Sequence, residues 1–271
     1  MLVFFIFIFG LCLGSFLNVL ILRLKSGQSL SGRSICPSCK QTIAWYDNIP
    51  LLSFIILQAK CRTCQVKISW QYPAVELISG LLWLVGYLKF IAPSQAGSFL
   101  THSGLLNLWQ SNPIVCWHFF IFCIFASILL VLFVFDTRWY ILPDQITIPA
   151  IAIALVFNLF LGLDWRWLLG SMVLGAAWFG LQYVISRGTW VGEGDIRFGA
   201  LVGAMVASWQ GLVVTFFVSY VGGSIVAIIL LLLHKKGWKS QLPMGAFLAV
   251  ATVIALLWGS DLWVWYLGLL W

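Results

Sequence analysis

Charged side chains are scarce in this chain. Asp, Glu, Lys and Arg supply 8% of its 271 residues, where a soluble domain carries about a quarter. With 62% of residues apolar and a mean hydropathy of +1.02, the composition excludes a soluble globular fold and indicates a polytopic membrane protein. Histidine is nearly missing as well. The three present, His102, His118 and His234, are scattered, so there is no HExxH metal motif and no convincing Ser-His-Asp set. No Gly-rich strand–helix signature of a soluble methyltransferase occurs. The first 22 residues lack a basic start, and no small-residue cleavage site precedes Arg23. They read as a retained first helix, not a signal peptide.

Against this background each acid stands out. Asp195 lies in Val191-Gly192-Glu193-Gly194-Asp195-Ile196-Arg197, between the apolar runs 167–185 and 198–207. Asp136 ends the apolar run 114–135 in the same way. A carboxylate so close to hydrocarbon is expensive and marks a functional site by default. Gly192 and Gly194 let the chain turn and pack closely at the next helix start. The reading is that Asp136 and Asp195 face each other at the membrane surface as an aspartyl protease pair, two carboxyls sharing one proton. Asp144, after Pro143, starts the following helix. It either caps that helix or orients a substrate.

One long polar segment, 23–72, holds seven of the fifteen Lys and Arg residues. It contains Cys36-Pro37-Ser38-Cys39 and Cys61-Arg62-Thr63-Cys64, with 21 residues between the pairs. Two such pairs at this separation point to a structural zinc site of four thiolates; two disulfides are the competing reading. Cys12, Cys116 and Cys123 lie in apolar runs and are expected as small core residues. Between the pairs, Asp47-Asn48 reads as a turn. The apolar run 51–57 is too short to span and lies either at the interface or against the zinc module. In the first helix, Gly10 and Gly14 allow close helix approach, and Asn18 needs a polar partner inside the bundle. Glu76 sits near the start of the second span, where the helix dipole alone favours an acid.

The fold class expected is an all-α polytopic membrane protein of about eight transmembrane helices with a small cytosolic zinc-binding module. The domains expected are 1–22, a first helix; 23–72, the zinc module; and 73–271, a seven-helix membrane domain carrying the protease site. Spans are expected at 73–92, 114–135, 146–163, 167–185, 198–208, 212–233 and 243–258, with 198–208 short. Placing 23–72 in the cytosol puts thirteen of the fifteen basic residues on that side, among them Lys235, Lys236 and Lys239, in keeping with the positive-inside rule. It also puts Asp136, Asp144 and Asp195 on one side. The formal net charge of +7 then calls for anionic lipid as a partner and no nucleic acid.

Taken in order, several stretches resemble the bifunctional type IV prepilin leader peptidases of the GxGD intramembrane aspartyl protease class. These are Gly14-Ser15-Phe16-Leu17-Asn18-Val19, the two Cys pairs, Trp45-Tyr46-Asp47-Asn48-Ile49-Pro50, Tyr72-Pro73-Ala74-Val75-Glu76-Leu77, Asp136 with Leu142-Pro143-Asp144, Gly192-Glu193-Gly194-Asp195, and Pro243-Met244-Gly245-Ala246-Phe247. The resemblance implies a multi-pass protein of the bacterial inner membrane with its site on the cytosolic side. It implies cleavage of the short basic leader of prepilins and pseudopilins after a glycine. It also implies methylation of the new N-terminal residue from S-adenosylmethionine. Asp136 and Asp195 would be catalytic, with Asp144, Gly192, Gly194 and Arg197 in support and Cys36, Cys39, Cys61 and Cys64 on zinc. Glu76, Asp47 and Asn48 are the methyltransferase candidates.

The chain departs from the pattern in three places. Arg197 stands where the family usually has Lys, which keeps the charge but changes the donor geometry. Glu193 adds a third acid, which either raises the proton affinity of Asp195 or faces water. Leu57-Gln58-Ala59-Lys60 lacks a glycine common there, which weakens the methyltransferase inference alone. Three rivals remain. A transporter would show an inverted repeat, which is absent. A zinc scaffold leaves Asp136 and Asp195 unexplained. A protease-only relative would lack the Cys pairs.

Overall fold

The computed structural model describes residues 2–95, 113–233 and 242–269. His102, His234, Lys235, Lys236 and Lys239 lie outside the described residues. The described residues form helices and short turns, with two isolated β-bridges and no strand. Two compact units divide the chain, Met1–Ser127 and Ile128–Trp271.

The first unit is built on α1 (Leu2–Ser26) and α3 (Gln71–Gly86), the latter continued by a π-turn at Tyr87–Ile91. At 1.5 Å per residue the 25 residues of α1 reach about 37 Å, enough to cross a bilayer core of about 30 Å. α1 and α3 touch through small residues, as the Gly10 and Gly14 spacing predicts. A methyl on Gly10 would fall 2.8 Å from Gly80 Cα, and one on Gly14 would fall 2.6 Å from Glu76 Cα. The Ser79 hydroxyl donates to the Gly10 carbonyl at 2.7 Å. Asn18, fully buried, donates through Nδ2 to the Tyr72 carbonyl at 3.0 Å, which supplies the partner the sequence called for. Between α1 and α3 lie a 3-10 turn, Trp45–Asn48, and a short helix α2 (Leu52–Ile56). The Ser53 hydroxyl ties the two together, donating to Tyr46 O at 3.0 Å and accepting from Ile49 N at 2.9 Å.

α4 (Pro113–Trp139) runs across the boundary between the units. The second unit continues with α5 (Asp144–Phe160), α6 (Trp165–Ser186), α7 (Glu193–Val206), α8 (Trp209–Leu232) and α9 (Met244–Gly268). α7 is its centre. It packs against α6, α5, α9 and α8, and Phe198, Leu201, Val202 and Ala204 have no exposed surface. Glycine makes the α6–α7 approach possible, because a methyl on Gly175 or on Gly199 would collide with the other's carbonyl oxygen. Asn158 Nδ2 donates to Ala204 O at 2.7 Å and fastens α5 to the far end of α7. α7 therefore carries Asp195 on the first turn of a helix that four others pack against.

Among the described residues six helices are long and apolar enough to cross a membrane: Leu2–Ser26, Gln71–Ile91, Pro113–Trp139, Trp165–Ser186, Trp209–Leu232 and Met244–Gly268. The other two expected spans are shorter: α5 has 17 residues and α7 has 14, about 26 and 21 Å at 1.5 Å per residue. Boundaries also moved. α4 continues through Asp136 to Trp139, so the expected 136–144 loop shrinks to 140–143. α9 runs past Trp258 to Gly268, so the apolar stretch after Ser260 extends the last helix, one of the two readings its sequence allows, the other being the interface. Cys116 and Cys123 are buried as expected, but Cys12 is exposed on α1. Its side chain points away from the glycine face on which α1 meets α3.

Candidate active site and candidate metal centre

Asp136 sits on the last turn of α4 and is 6% exposed. Its Oδ2 accepts the Ala246 N–H at 2.7 Å, and the Gly245 N–H also reaches the carboxylate. Both amides belong to the first turn of α9, where helix N–H groups have no intrahelical partner. The positive end of the helix dipole adds to their pull on an anion. Asp195 occupies the third position of α7. Its Oδ2 accepts the Gly192 N–H at 3.0 Å, while its own N–H donates to Gly192 O at 3.1 Å. Each aspartate thus holds a helix N-terminus through Oδ2. The two helix starts these acids hold are joined by Leu142, which packs against both Gly194 and Gly245. Peptide hydrolysis without a nucleophilic side chain needs a pair of carboxyls.

Leu142, in the 140–143 loop, lies between the two helix starts. A methyl on Gly194 would fall 3.3 Å from Leu142 Cβ. One on Gly245 would fall 3.0 Å from Asp136 Cγ and Oδ2 and 3.4 Å from Leu142 Cδ2. Neither Gly192 nor Gly194 has a positive φ, so close packing, not a special turn, is what Gly194 supplies. Gly245 and Ala246 lie in a stretch that carries the resemblance but were assigned no role from the sequence. Pro243 followed by Met-Gly was the available signal, a proline just ahead of a helix start.

Asp144 does not cap α5. The cap position is Pro143, without a side-chain bond, and the Asp144 carboxylate instead takes Arg197 Nη1 at 2.5 Å. Arg197 also stands 3.9 Å from Glu193. Glu193 accepts the Tyr183 hydroxyl at 3.3 Å and is otherwise open to solvent. His118 is placed away from any acid, bonding to the Ile114 carbonyl at 2.8 Å and stacking on Phe90.

The two Cys pairs fold as matching knuckles. Cys36 N donates to Gln41 O and Cys61 N to Val66 O, both at 2.9 Å. Lys40 N donates back to Cys36 O and Gln65 N to Cys61 O, both at 3.0 Å. Lys40 and Gln65 share a left-handed backbone, with φ of 59° and 56°. The four sulfurs lie within 4.8 Å of one another, and Cys36 Sγ is 3.8 Å from Cys64 Sγ. A tetrahedron with Zn–S bonds of 2.3 Å has edges of about 3.8 Å, so the set fits zinc. No described cysteine forms a disulfide. The Cys39 backbone N–H is the main influence drawing the Cys36 thiol down to about 6, which favours the thiolate a metal requires.

Among the methyltransferase candidates, Glu76 is buried on α3. Its Oε2 accepts the Leu51 N–H at 2.9 Å, and Ser15 of α1 also bonds to it. Leu51 has φ 60° and ψ −47°, an unfavourable conformation for a side-chain-bearing residue that the Glu76 bond helps to hold. Asp47 accepts both Arg62 Nε at 2.8 Å and Arg62 Nη2 at 2.6 Å. That fork holds its carboxyl below the usual range and joins the 3-10 turn to the second knuckle. Asn48 is exposed.

Residues 8–90 match the family described as Bacterial Peptidase A24 N-terminal domain, and residues 123–228 match the Type IV leader peptidase family. A protein of Aeromonas hydrophila named prepilin leader peptidase/N-methyltransferase is 32% identical, over 97% of this chain and 92% of the relative. Proteins of the same name from Stutzerimonas stutzeri and Pectobacterium carotovorum subsp. carotovorum are each 30% identical. The first covers 96% of this chain and 92% of the relative, and the second 92% and 91%. No solved structure matches the chain.

Proposed function

The chain belongs to the type IV leader peptidase family, and from that premise we propose that it removes the leader from prepilins and pseudopilins with Asp136 and Asp195 as the catalytic pair. The observation that carries this reading is that Asp136 and Asp195 each accept an amide of a helix start, with Leu142 packed against both starts. One carboxylate takes a proton from water as its oxygen adds to the scissile carbonyl carbon. The other, protonated, donates to the carbonyl oxygen. When the tetrahedral intermediate collapses, the C–N bond breaks and the leaving amine takes up a proton from the pair. The amides of Gly192, Gly245 and Ala246 fix the carboxylates so that no reorientation is needed during the reaction. Asp144 and Arg197 join the starts of α5 and α7 beside the pair.

The same reading assigns methyl transfer from S-adenosylmethionine to the free N-terminus that cleavage creates. The methyl leaves the sulfonium, the amine gains it and loses a proton. Glu76, Asp47 and Asn48 are the residues placed there. Glu76 positions the 45–57 segment through Leu51, and Asp47 fastens that segment to the metal knuckle through Arg62. Cys36, Cys39, Cys61 and Cys64 would hold zinc, which supplies folding energy to the module. The division of labour is a first helix at 1–22, the module at 23–72, and the membrane domain at 73–271, in the bacterial inner membrane with module and pair facing the cytosol.

The test uses the purified protein with a prepilin and radiolabelled S-adenosylmethionine, reading leader loss and methyl incorporation together. Asp136→Asn and Asp195→Asn should each abolish cleavage while still methylating a pre-cleaved substrate. Near-normal leader loss in either variant would remove the pair from the mechanism.

A further inference from the structure

The exposed face of α2 has no role in either activity. Leu52, Ile55 and Ile56 stand at i, i+3 and i+4, one face of the helix, and Ser53 is buried on the other. Ile55 is 70% exposed and Ile56 72%. Trp70, 76% exposed, is a further large apolar side chain beside α2, its ring 4.9 Å from Phe54. A cluster of large apolar side chains on a small polar module marks a contact surface.

Where this face lies follows from α3. The segment Gln71–Ile91 has 21 residues, about 31 Å at 1.5 Å per residue, against a bilayer core of about 30 Å. It has no length to spare, so its first turn stands at the edge of the hydrocarbon. Glu76 is five residues in, about 8 Å along the axis. The Leu51 N–H is bonded to its carboxylate at 2.9 Å, so the start of α2 is held at that level and not above it. Trp70 directly precedes α3, the place where indole rings collect at membrane interfaces. Residues 27–70 carry five cations, Arg33, Lys40, Lys60, Arg62 and Lys67, against one acid, Asp47, which suits anionic headgroups.

We propose that α2 is an interfacial anchor. Leu52, Ile55, Ile56 and Trp70 sit in the boundary between headgroups and acyl chains of an anionic bilayer and hold the four-cysteine module against the membrane. The inference rests on the chain spanning a membrane and is independent of the proposed chemistry.

The experiment reads depth. The full chain, carrying a genetically encoded fluorescent amino acid at Ile55, at Ile56 or at Thr63, is placed in nanodiscs containing phosphatidylglycerol. The lipids are brominated at shallow or deep acyl positions. Thr63, exposed in the second knuckle, is the control. Retained cleavage activity checks that each labelled chain is folded, and two anchor positions guard against a label that misfolds one. Labels at Ile55 and Ile56 should be quenched at a depth of about 5–10 Å into the headgroup–acyl boundary, with Thr63 unquenched. Equal quenching at all three sites, or none at Ile55 and Ile56, overturns the proposal. Protection of Ile55 that appears only after a prepilin is added also overturns it and gives the face to the substrate.

Discussion

The Asp136 carboxylate accepts the Ala246 N–H at 2.7 Å, so an acid on the last turn of one helix holds the first turn of another 110 residues away. This bond explains why a carboxylate can end an apolar helix without breaking it. The charge meets aligned backbone dipoles instead of hydrocarbon.

Gly245 is where that arrangement is most fragile. A methyl there would lie 3.0 Å from Asp136 Cγ and Oδ2. Gly245→Ala should lower kcat/KM for leader cleavage by about 100-fold, the scale of a 1 Å misplacement. Leu142→Met should cost little, because volume is conserved. Unchanged cleavage kinetics in Gly245→Ala would mean that the carboxylate does not need its present position.

Arg197 and Asp144 pair at 2.5 Å but are 42% and 48% exposed. Exposed pairs contribute about 0–1 kcal/mol. Asp144→Asn should therefore leave thermal stability nearly unchanged and retain part of the cleavage activity. If Asp144→Asn is as inactive as Asp136→Asn, while remaining folded, Asp144 belongs among the catalytic groups.

Metal analysis should find one zinc per chain, and Cys36→Ser or Cys61→Ser should lose it. The pH dependence follows from the thiol. The pKa of Cys36 is lowered in the folded chain, from its ordinary 9.0 to about 6. A lowered pKa adds stability above the unfolded value, and that stability is lost as pH falls through the folded one. Bound metal competes further with protons. Zinc should therefore be released progressively on acidification, as protons compete with the metal for the four thiolates. Freshly prepared wild type without zinc would refute the metal reading.

Glu76 should separate the two activities. Glu76→Gln keeps an acceptor for the Leu51 N–H but loses the charge, and should impair methyl transfer more than cleavage. Glu76→Ala leaves that amide unpaired, at about 1–3 kcal/mol for a buried group, and should impair methyl transfer further. Parallel loss of both activities in Glu76→Gln, with the protein folded, would point to one shared site.

Acids and cysteines announced themselves in the sequence because each is anomalous where it stands. Asp136 and Asp195 interrupt hydrocarbon-length runs, and the two Cys pairs repeat at ligand spacing. Backbone donors carry no such signature. Nothing in Gly245-Ala246 says that its amides face Asp136, which depends on where α9 begins in space. A cap was one of the two readings open for Asp144, because Pro143-Asp144 resembles a helix start. Only the fold brings Arg197 within reach. Cys12 looked like a core residue because composition cannot tell a lipid-facing side of α1 from a helix-facing one. The span count was limited in the same way, since α5 and α7 are apolar enough but have only 17 and 14 residues.

The matching knuckles make the intervening chain a closed ring. Twenty-one residues separate Cys39 from Cys61, and with metal bound both ends are fixed at one point. Closing a free loop of that length costs about 3 kcal/mol of entropy, which the metal bonds supply. Leu51 lies within the ring, and its N–H docks on Glu76. Metal affinity and the docking of Leu51 are then reciprocal quantities. Glu76→Ala should weaken zinc binding by the same factor by which zinc removal weakens the grip of α3 on the ring. An unaltered zinc affinity in that variant would show that the two ends of the device are uncoupled.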